Sequence, residues 1–434
     1  MATVKLRDGA ITLYTRGDSA NWYAGYKLQG GGRLQETLKT KNKAEAKERA
    51  QERYDDLKWR AKHGLPANTV TFSEAADAWI TELESQVAGG SRKPRSVIDY
   101  KPAIERYLKP YFIDRAVDGI KAMDISKYRV WRRDYWIKGP GSSIKEITYI
   151  RGGIKTKRTL TKKDRKAPAP RTYNGENVIM RGIFQHAVSQ GWLLEHQIPK
   201  IDNAKQKKSD SRARAYPHFE LREYYGLKRF MSLWVTSNDL TEAERWRREA
   251  IQDFLLILLN TGLREHELFK KDERTGERRG LRWSDISPFT SAKGVDLVEL
   301  HVTGKTGIRS VIGQRPVRVV LERRRKLRCP KHIDSDFVLA LPDGQMPNGY
   351  DSGVKRLLEA AGLRIDPKTK RNRGIYSCRH SYATWRLQAG RNLIEVANNM
   401  GTSPAMIEQS YYHYRPRTIA DSLTEGVAPV THET

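Results

Sequence analysis

Four short segments in the second half of the chain carry side chains that suit chemistry on a phosphate. Arg264 follows a Gly-Leu pair at the end of an apolar stretch, and Lys305 lies in a Gly-Lys-Thr-Gly turn between two strand-like segments. Arg379 stands beside His380, and several tyrosines follow from residue 411. Guanidinium groups bind phosphate oxygens through a planar, permanently charged fork. A lysine can donate a proton, and a tyrosine hydroxyl can act as a nucleophile. The set predicts breakage of a phosphodiester bond without a metal ion.

These segments stand in a definite order, which is more specific than any one of them. The first reads Thr-Gly-Leu-Arg-x-x-Glu and ends at Glu267, and the next places an Arg-His pair before Ala383 and Thr384. The last reads Met-Gly-Thr-Ser, with Tyr411 ten residues after Gly401. In this order the motifs resemble the tyrosine recombinase, or phage integrase, family. The resemblance is specific over residues 215–415, looser over 70–205 and weakest over 1–65.

The resemblance implies a role for each of these side chains. Arg264 and Arg379 would bind the scissile phosphate, and Lys305 would protonate the leaving oxygen. His380 would either bind the phosphate or support the residues that bind it without contacting the phosphate itself. Glu267 would brace the turn that carries the first arginine. In the family this chemistry needs neither ATP nor a metal, so no cofactor is expected.

The nucleophile has to be chosen among neighbouring tyrosines. The spacing from Gly401 selects Tyr411, which would attack phosphorus and form a 3′-phosphotyrosyl link. On a helix Tyr412 would point about 100° away, so it cannot share that role. Tyr414, three residues after Tyr411, remains the alternative.

Two positions depart from the family pattern. Tyr376 stands where a histidine is common three residues before the second arginine, and Thr402 stands where histidine or tryptophan is common after the glycine. Both hydroxyls can still donate to a phosphate and support the site. Neither is a base near neutral pH, because tyrosine titrates near pH 10. Which group deprotonates Tyr411 therefore stays open.

The charge of the chain indicates a polyanionic partner. Its 434 residues include 80 Lys and Arg against 51 Asp and Glu, a net charge of +29. An excess of this size is typical of nucleic-acid-binding proteins, although a protein can also be basic without binding DNA. Residues 151–171 hold nine basic residues and one acid. A charge run of this kind is either a solvated loop or a contact to the DNA backbone, and the second is favoured. The predicted DNA contacts are Arg151, Lys155, Lys157, Arg158, Lys162 and Lys163.

The pattern of elements predicts a multidomain chain that is mainly α with small β-sheets. A small α+β module that would bind arm-type DNA sites is expected over 1–65. A helical core-binding domain with a basic insert at 138–171 would follow over 70–205, with a polar linker over 200–214. A recombinase-like catalytic domain would then cover 215–420 and a tail 421–434. Expected helices cover 43–62, 72–83, 178–192, 249–260, 349–361, 377–388 and 393–399. Expected strands cover 11–14, 22–28, 34–38, 295–302 and 308–312, and glycines 30–32 are expected to form the turn between the second and the third. Ser73 is the expected N-cap of the second helix, and 237–248 and 270–279 are expected to be surface loops.

The function that the resemblance implies is site-specific recombination that integrates or excises a mobile element. The partners would be double-stranded DNA at attachment sites, three further protomers in a homotetramer, and accessory proteins that bend DNA or set direction. The alternative is a non-catalytic DNA-binding regulator on the same fold. A basic RNA-binding protein would need a recognisable module of stacking aromatic residues, and the sequence shows none. The sequence shows no signal peptide or membrane segment. Cys329 and Cys378 suggest neither a disulfide framework nor a zinc site, so a cytoplasmic location is expected.

Overall fold

The computed structural model describes residues 3–17, 19–28, 32–151, 154–204, 216–271, 278–304, 307–327, 331, 333–347 and 349–411. The chain divides into two units, Met1–Gln206 and Lys207–Thr434. Helices predominate in the described residues and the sheets are small. The predicted fold class, mainly α with small β-sheets, is therefore confirmed. No helix within the described residues is long and apolar enough to cross a membrane.

The first unit opens with a four-stranded antiparallel sheet in the order β1-β2-β3-β4. The strands are β1 (Thr3–Leu6), β2 (Ile11–Thr15), β3 (Trp22–Lys27) and β4 (Arg33–Thr37), and helix α1 (Lys43–Lys62) follows. Alternate strand residues such as Ile11 and Leu13 pack with Ala46 and Ala50 of the helix. The helix and three of the strands confirm the predictions, whereas β1 was not predicted. The glycines expected to form the turn before β4 lie mostly outside the described residues.

Helices form most of the rest of the first unit. They are α2 (Phe72–Ala88), α3 (Arg95–Ala103), α4 (Lys109–Phe112), α5 (Ala122–Asp134) and α6 (Pro170–Ser189), with a π-helical segment at Ile104–Leu108. Ile183 and Phe184 of α6 are fully buried in their core, as the spacing predicts. The expected N-cap of α2 is wrong. Thr71 caps this helix in a reciprocal pair with Glu74, whereas the Ser73 hydroxyl donates to the Ile113 carbonyl.

The basic insert forms a β-hairpin of strands β5 (Glu146–Arg151) and β6 (Ile154–Thr159). Lys155, Lys157 and Arg158 are exposed on β6, and Lys162 and Lys163 are exposed in the 3₁₀ turn that follows. Arg151 ends β5, but its side chain lies outside the description. The sequence did not predict strands here, because polar and charged residues hide the alternation that marks a half-buried strand.

The second unit surrounds one long buried helix. The helices of this unit are α7 (Leu221–Val235), α8 (Glu242–Thr261), α9 (Glu265–Leu268), α10 (Arg315–Leu327), α11 (Asp351–Ala360), α12 (Ile375–Gln388), α13 (Leu393–Met400) and α14 (Pro404–Tyr411). Its strands are β7 (Phe269–Lys271), β8 (Arg278–Gly280), β9 (Ile286–Thr290), β10 (Asp296–Gly304) and β11 (Gly307–Gly313). Antiparallel β9, β10 and β11 form one sheet, in the order β11-β10-β9. Residues 250–261 of α8 are buried throughout and form the centre of the core.

Two loop predictions in this unit need correction. Residues 242–248 are not loop but the first turns of α8, where Thr241 and Glu244 cap the helix reciprocally and the Trp246 indole donates to the Ala340 carbonyl. The expected loop at 270–279 includes the pairing of β7 with β8, and residues 272–277 lie outside the described residues. The predicted linker at 200–214 is described only to residue 204, and the predicted tail at 421–434 is not described.

Candidate active site

The candidate site begins where the buried helix α8 ends. Gly262 caps α8 in the left-handed conformation, with φ of +71°. A Cβ atom at this position would lie 2.5 Å from the Tyr382 ring and 2.9 Å from Cγ of Met400. Both the backbone conformation and the close packing therefore require glycine here. At this turn the end of α8 packs against Tyr382 of α12 and Met400 of α13. Helix α12 also carries Arg379.

Arg264 leaves this turn in an extended conformation and precedes α9. Its backbone N–H donates to Oε2 of Glu267 at 2.7 Å, which fixes the start of the short helix. Its Nη1 lies 3.4 Å from Oε1 of the same carboxylate, and its side chain is 24% exposed. The Glu267 side chain is fully buried and contacts both the backbone and the side chain of Arg264.

Arg379 lies on the first turns of α12 and is buried. Its Nη1 donates to the Met400 carbonyl at 2.8 Å and to the Gly262 carbonyl. Nη2 of Arg264 donates at 2.9 Å to the carbonyl of Gly401. The two predicted phosphate-binding arginines, distant in sequence, therefore meet neighbouring carbonyls at one turn.

That turn is the end of α13, where Gly401 caps the helix with φ of +61°. The carbonyl end of a helix carries partial negative charge and attracts cations. A guanidinium has five N–H donors in a fixed fork, and the Gly401 carbonyl takes only one of those of Arg264. The turn can hold Arg264 in place while other donors of its fork address a phosphate.

A third arginine, Arg309 of β11, joins this cluster and was missed in the sequence. Its Nη1 donates to the Asn399 carbonyl at 2.6 Å, and its Nη2 donates to the Met400 carbonyl at 3.2 Å. Nη2 also lies 3.0 and 3.1 Å from the two oxygens of Glu267. Arg309 thus links the β10–β11 hairpin to the turn after α13. Only its position four residues after Lys305 could have suggested this role.

His380 is buried beside Arg379 and packs against two tyrosine rings. The ring centres of Tyr216 and Tyr376 lie 5.6 and 5.2 Å from the imidazole. Burial, reinforced by the positive charge of Arg379, lowers the pKa of His380 to about 3. The imidazole is therefore neutral at physiological pH. Tyr376 is 45% exposed, so its ring lies between the buried histidine and solvent.

The remaining predicted residues are described in part. The backbone N–H of Thr402 donates to the Ala397 carbonyl at 3.0 Å, and buried Ile407 anchors α14 on the cluster that includes Tyr382 and Met400. Tyr411 is the last residue of α14, and its side chain lies outside the description. Lys305 lies outside the described residues, between the paired ends of β10 and β11. Tyr412 and Tyr414 are likewise not described.

Comparison with solved structures finds similarity to DNA-bound recombinases and integrases. The XerH site-specific recombinase bound to difH substrate is 15% identical; the likeness covers 76% of this chain and 79% of that one, with a TM-score of 0.47. The Tn1549 transposon integrase in complex with circular intermediate DNA is 15% identical, with 82% and 99% covered and a TM-score of 0.48. A lambda integrase dimer bound to a COC′ core site is 14% identical, with 92% and 94% covered and a TM-score of 0.46.

These solved structures are recombinases and integrases. They are the class of protein that the sequence motifs resemble. No protein-family model matches the sequence, and no curated protein matches it.

The described geometry suits the binding of an anion. Three guanidinium groups converge on the carbonyls of residues 399–401, and the Glu267 carboxylate lies behind two of them. In the described part of the chain, no group of three or more His, Cys, Asp or Glu side chains could hold a metal ion. Arginines held by backbone carbonyls and a buried carboxylate are oriented before a ligand arrives, which lowers the cost of binding a phosphate.

Proposed function

We propose that this chain is a tyrosine recombinase that cleaves and rejoins DNA strands through a 3′-phosphotyrosyl intermediate. One observation carries the proposal. Arg264 and Arg379 donate to the carbonyls of Gly401 and Met400, directly before the helix that ends at Tyr411. The groups needed for phosphate binding and for nucleophilic attack therefore belong to one continuous cluster of elements.

In the proposed reaction the Tyr411 hydroxyl oxygen attacks the phosphorus of a DNA phosphodiester. A bond forms between that oxygen and phosphorus, and the bond from phosphorus to the 5′-oxygen breaks. The phenolic proton passes to water as the attack proceeds, and Lys305 supplies a proton to the departing 5′-oxygen. Arg264 and Arg379 stabilise the charge that builds on the non-bridging oxygens. Attack by a free 5′-hydroxyl on the phosphotyrosine reverses the step and rejoins a strand.

His380 enters this scheme as a neutral group. With a pKa of about 3 the imidazole cannot act as a second cation for the phosphate near neutral pH. It can still donate one N–H or accept one hydrogen bond. We assign it to positioning, in which it supports Arg379 and the exposed ring of Tyr376.

Two further regions proposed to contact DNA belong to the first unit. The exposed lysines of the β5–β6 hairpin and of the 3₁₀ turn after it would contact the phosphate backbone. The N-terminal sheet would hold a second, arm-type DNA site; there the Arg16 guanidinium lies 4.5 Å from the centre of the Tyr23 ring. Recombination on two duplexes would take four protomers, at the ends of a mobile element, with accessory proteins that bend DNA or set direction.

A trapping experiment tests the reaction without knowledge of the target site. A pool of duplexes with a nick and random sequence around it is incubated with the protein in a metal chelator. Cleavage close to the nick releases a short fragment, so the phosphotyrosyl link cannot be reversed. We expect a DNA adduct that survives denaturation and disappears on protease treatment. The adduct should be absent from Tyr411→Phe and reduced at least about 10²-fold in Arg379→Ala.

Tyr414→Phe is the matched control, since it removes the same hydroxyl from a nearby tyrosine. It should form as much adduct as the unmodified protein. Loss of the adduct in Tyr414→Phe alone would show that the assignment of the nucleophile is wrong. If the protein binds the pool but no variant gives an adduct, the chain is a non-catalytic DNA-binding regulator.

A further inference from the structure

The β5–β6 hairpin has two chemically different faces. In an antiparallel pair, residues directly opposite each other lie on the same face. The register pairs Thr148 with Lys157, Glu146 with Thr159 and Ile150 with Lys155, which places these six residues on one face. The other face carries the pairs of Ile147 with Arg158 and of Tyr149 with Thr156.

Solvent exposure follows this division except at Arg158, which is exposed on the opposite face. Glu146, Thr148, Lys155, Lys157 and Thr159 are all exposed, and we call this set the lysine face. On the opposite face Ile147, Tyr149 and Thr156 are half-buried. A lone two-stranded ribbon is at best marginally stable in water, and the half-buried face is the one shielded from solvent. The lysine face is left for a partner.

The base of the hairpin is fixed to the helical part of the first unit. Both terminal nitrogens of Arg165 donate at 2.5 Å to backbone carbonyls, those of Gly141 and Ile144, just before β5. The backbone N–H of Leu160 donates to the Lys145 carbonyl at 2.8 Å, which closes the hairpin base. Arg158 pairs with Asp164, so this cation is partly neutralised within the protein. Lys155 and Lys157 are the cations that the lysine face presents outward.

We propose that this hairpin enters the major groove of duplex DNA, with Lys155 and Lys157 directed at the DNA. Each strand has six residues and so extends about 20 Å at roughly 3.3 Å per residue. The major groove is about 12 Å wide and admits a two-stranded ribbon. Threonine hydroxyls beside the lysines can bond to base edges or to phosphates. The inference deepens the proposed function and rests on its claim that the chain binds DNA.

The test compares plain duplex DNA with duplex DNA whose major groove is filled. Both duplexes span about three helical turns of random sequence, and the second carries glucosylated hydroxymethylcytosine in place of cytosine. All proteins carry Tyr411→Phe, so that binding is measured without cleavage. On plain DNA the Lys155→Ala/Lys157→Ala variant should bind 10- to 100-fold more weakly at about 0.1 M salt, since each lost phosphate contact reduces the log–log salt slope by about 0.9. On the filled duplex this variant should bind about as well as its parent.

A charge-conserving control tests whether binding depends on which face of the hairpin carries the lysines or only on the total charge. Thr156→Lys with Lys157→Thr keeps the composition but moves one cation to the opposite face. We expect weaker binding to plain DNA than the parent shows, with an unchanged melting temperature as the check on folding. The inference would be overturned if the swapped variant bound plain DNA as tightly as its parent. It would also be overturned if the alanine variant lost no affinity for plain DNA, or lost the same affinity for both duplexes. Because no adduct is measured, these results do not depend on whether Tyr411 is a nucleophile.

Discussion

The charge state of His380 follows from its surroundings. The side chain is 5% exposed, lies next to a guanidinium and contacts two aromatic rings. Water is largely excluded from this position, and loss of hydration penalises the charged form of an imidazole. Its motif does not reveal this, because the Arg-His pair reads the same whether the histidine is exposed or buried.

A pH-dependent stability follows. In the unfolded chain His380 takes up a proton near its ordinary pKa of about 6.5, whereas in the folded chain the pKa is about 3. The unfolded state therefore binds more protons between these values. Stability should fall as the pH drops below about 6.5, by up to about 1.4 kcal/mol per pH unit from this group. Denaturant unfolding of wild type and His380→Asn at several pH values measures this contribution.

In His380→Asn the slope of unfolding free energy against pH should be smaller than in wild type over this range. Other groups that titrate in the same range contribute equally to both curves and cancel in the difference. Parallel curves for the two proteins would show that His380 is protonated in the folded state, contrary to its burial.

Sequence motifs located the arginines but not everything that holds them. Arg264, Glu267 and Arg379 stand in recognisable motifs, and the structure brings them together around one turn. Arg309 stands in no motif, and its contacts depend on the register of two strands and on the end of a distant helix. Such a contact between segments remote in sequence leaves no local pattern.

Arg309 is the residue that ties these elements together, and its removal would affect all of them. Arg309→Ala leaves the buried Glu267 carboxylate without its closest cation and frees two carbonyls. Breaking a buried ion pair by removing one partner costs about 3–5 kcal/mol. We expect a loss of unfolding free energy near the lower end of that range, since Arg264 remains beside Glu267. Chemical denaturation would measure it.

Arg318→Ala is a suitable control for this substitution. Arg318 also pairs with two acids, Asp296 and Glu322, but both partners are more than half exposed. Exposed pairs of this kind contribute about 0–1 kcal/mol. If the two variants were equally stable, the Arg309 contacts would not hold the site together.

The elements themselves were predicted best where the apolar pattern was strong. Helix α13 and the strands β2, β3, β10 and β11 were found close to their observed positions. The start of α8 was missed because residues 242–248 are charged, and the capping pair of Thr241 and Glu244 was overlooked. The β5–β6 hairpin was missed for a related reason, since its outward face carries lysines and threonines rather than an apolar alternation.

At the scale of the whole molecule, each unit carries its own cores. Every buried residue of the two clusters in the second unit lies between residues 219 and 407, and the clusters in the first unit lie between residues 11 and 201. Each core is therefore made entirely within one unit. The finer division into an N-terminal module and a helical domain remains a prediction.

This arrangement predicts that each unit folds alone. Fragments 1–206 and 207–434 expressed separately should each give a cooperative thermal transition, because each described core cluster lies within one fragment. Calorimetry of both fragments and of the full chain would measure these transitions. A fragment without a cooperative transition would show that its core depends on the other half of the chain.

In the proposed reaction the full chain becomes joined to DNA through Tyr411. Mass spectrometry of the trapped adduct, after digestion with a nuclease and a protease, identifies the residue that carries the DNA. We expect a nucleotide attached through its 3′-phosphate to Tyr411, in the peptide that follows the Met-Gly-Thr-Ser motif. A nucleotide on Tyr412, on Tyr414 or on a residue outside this segment would contradict it.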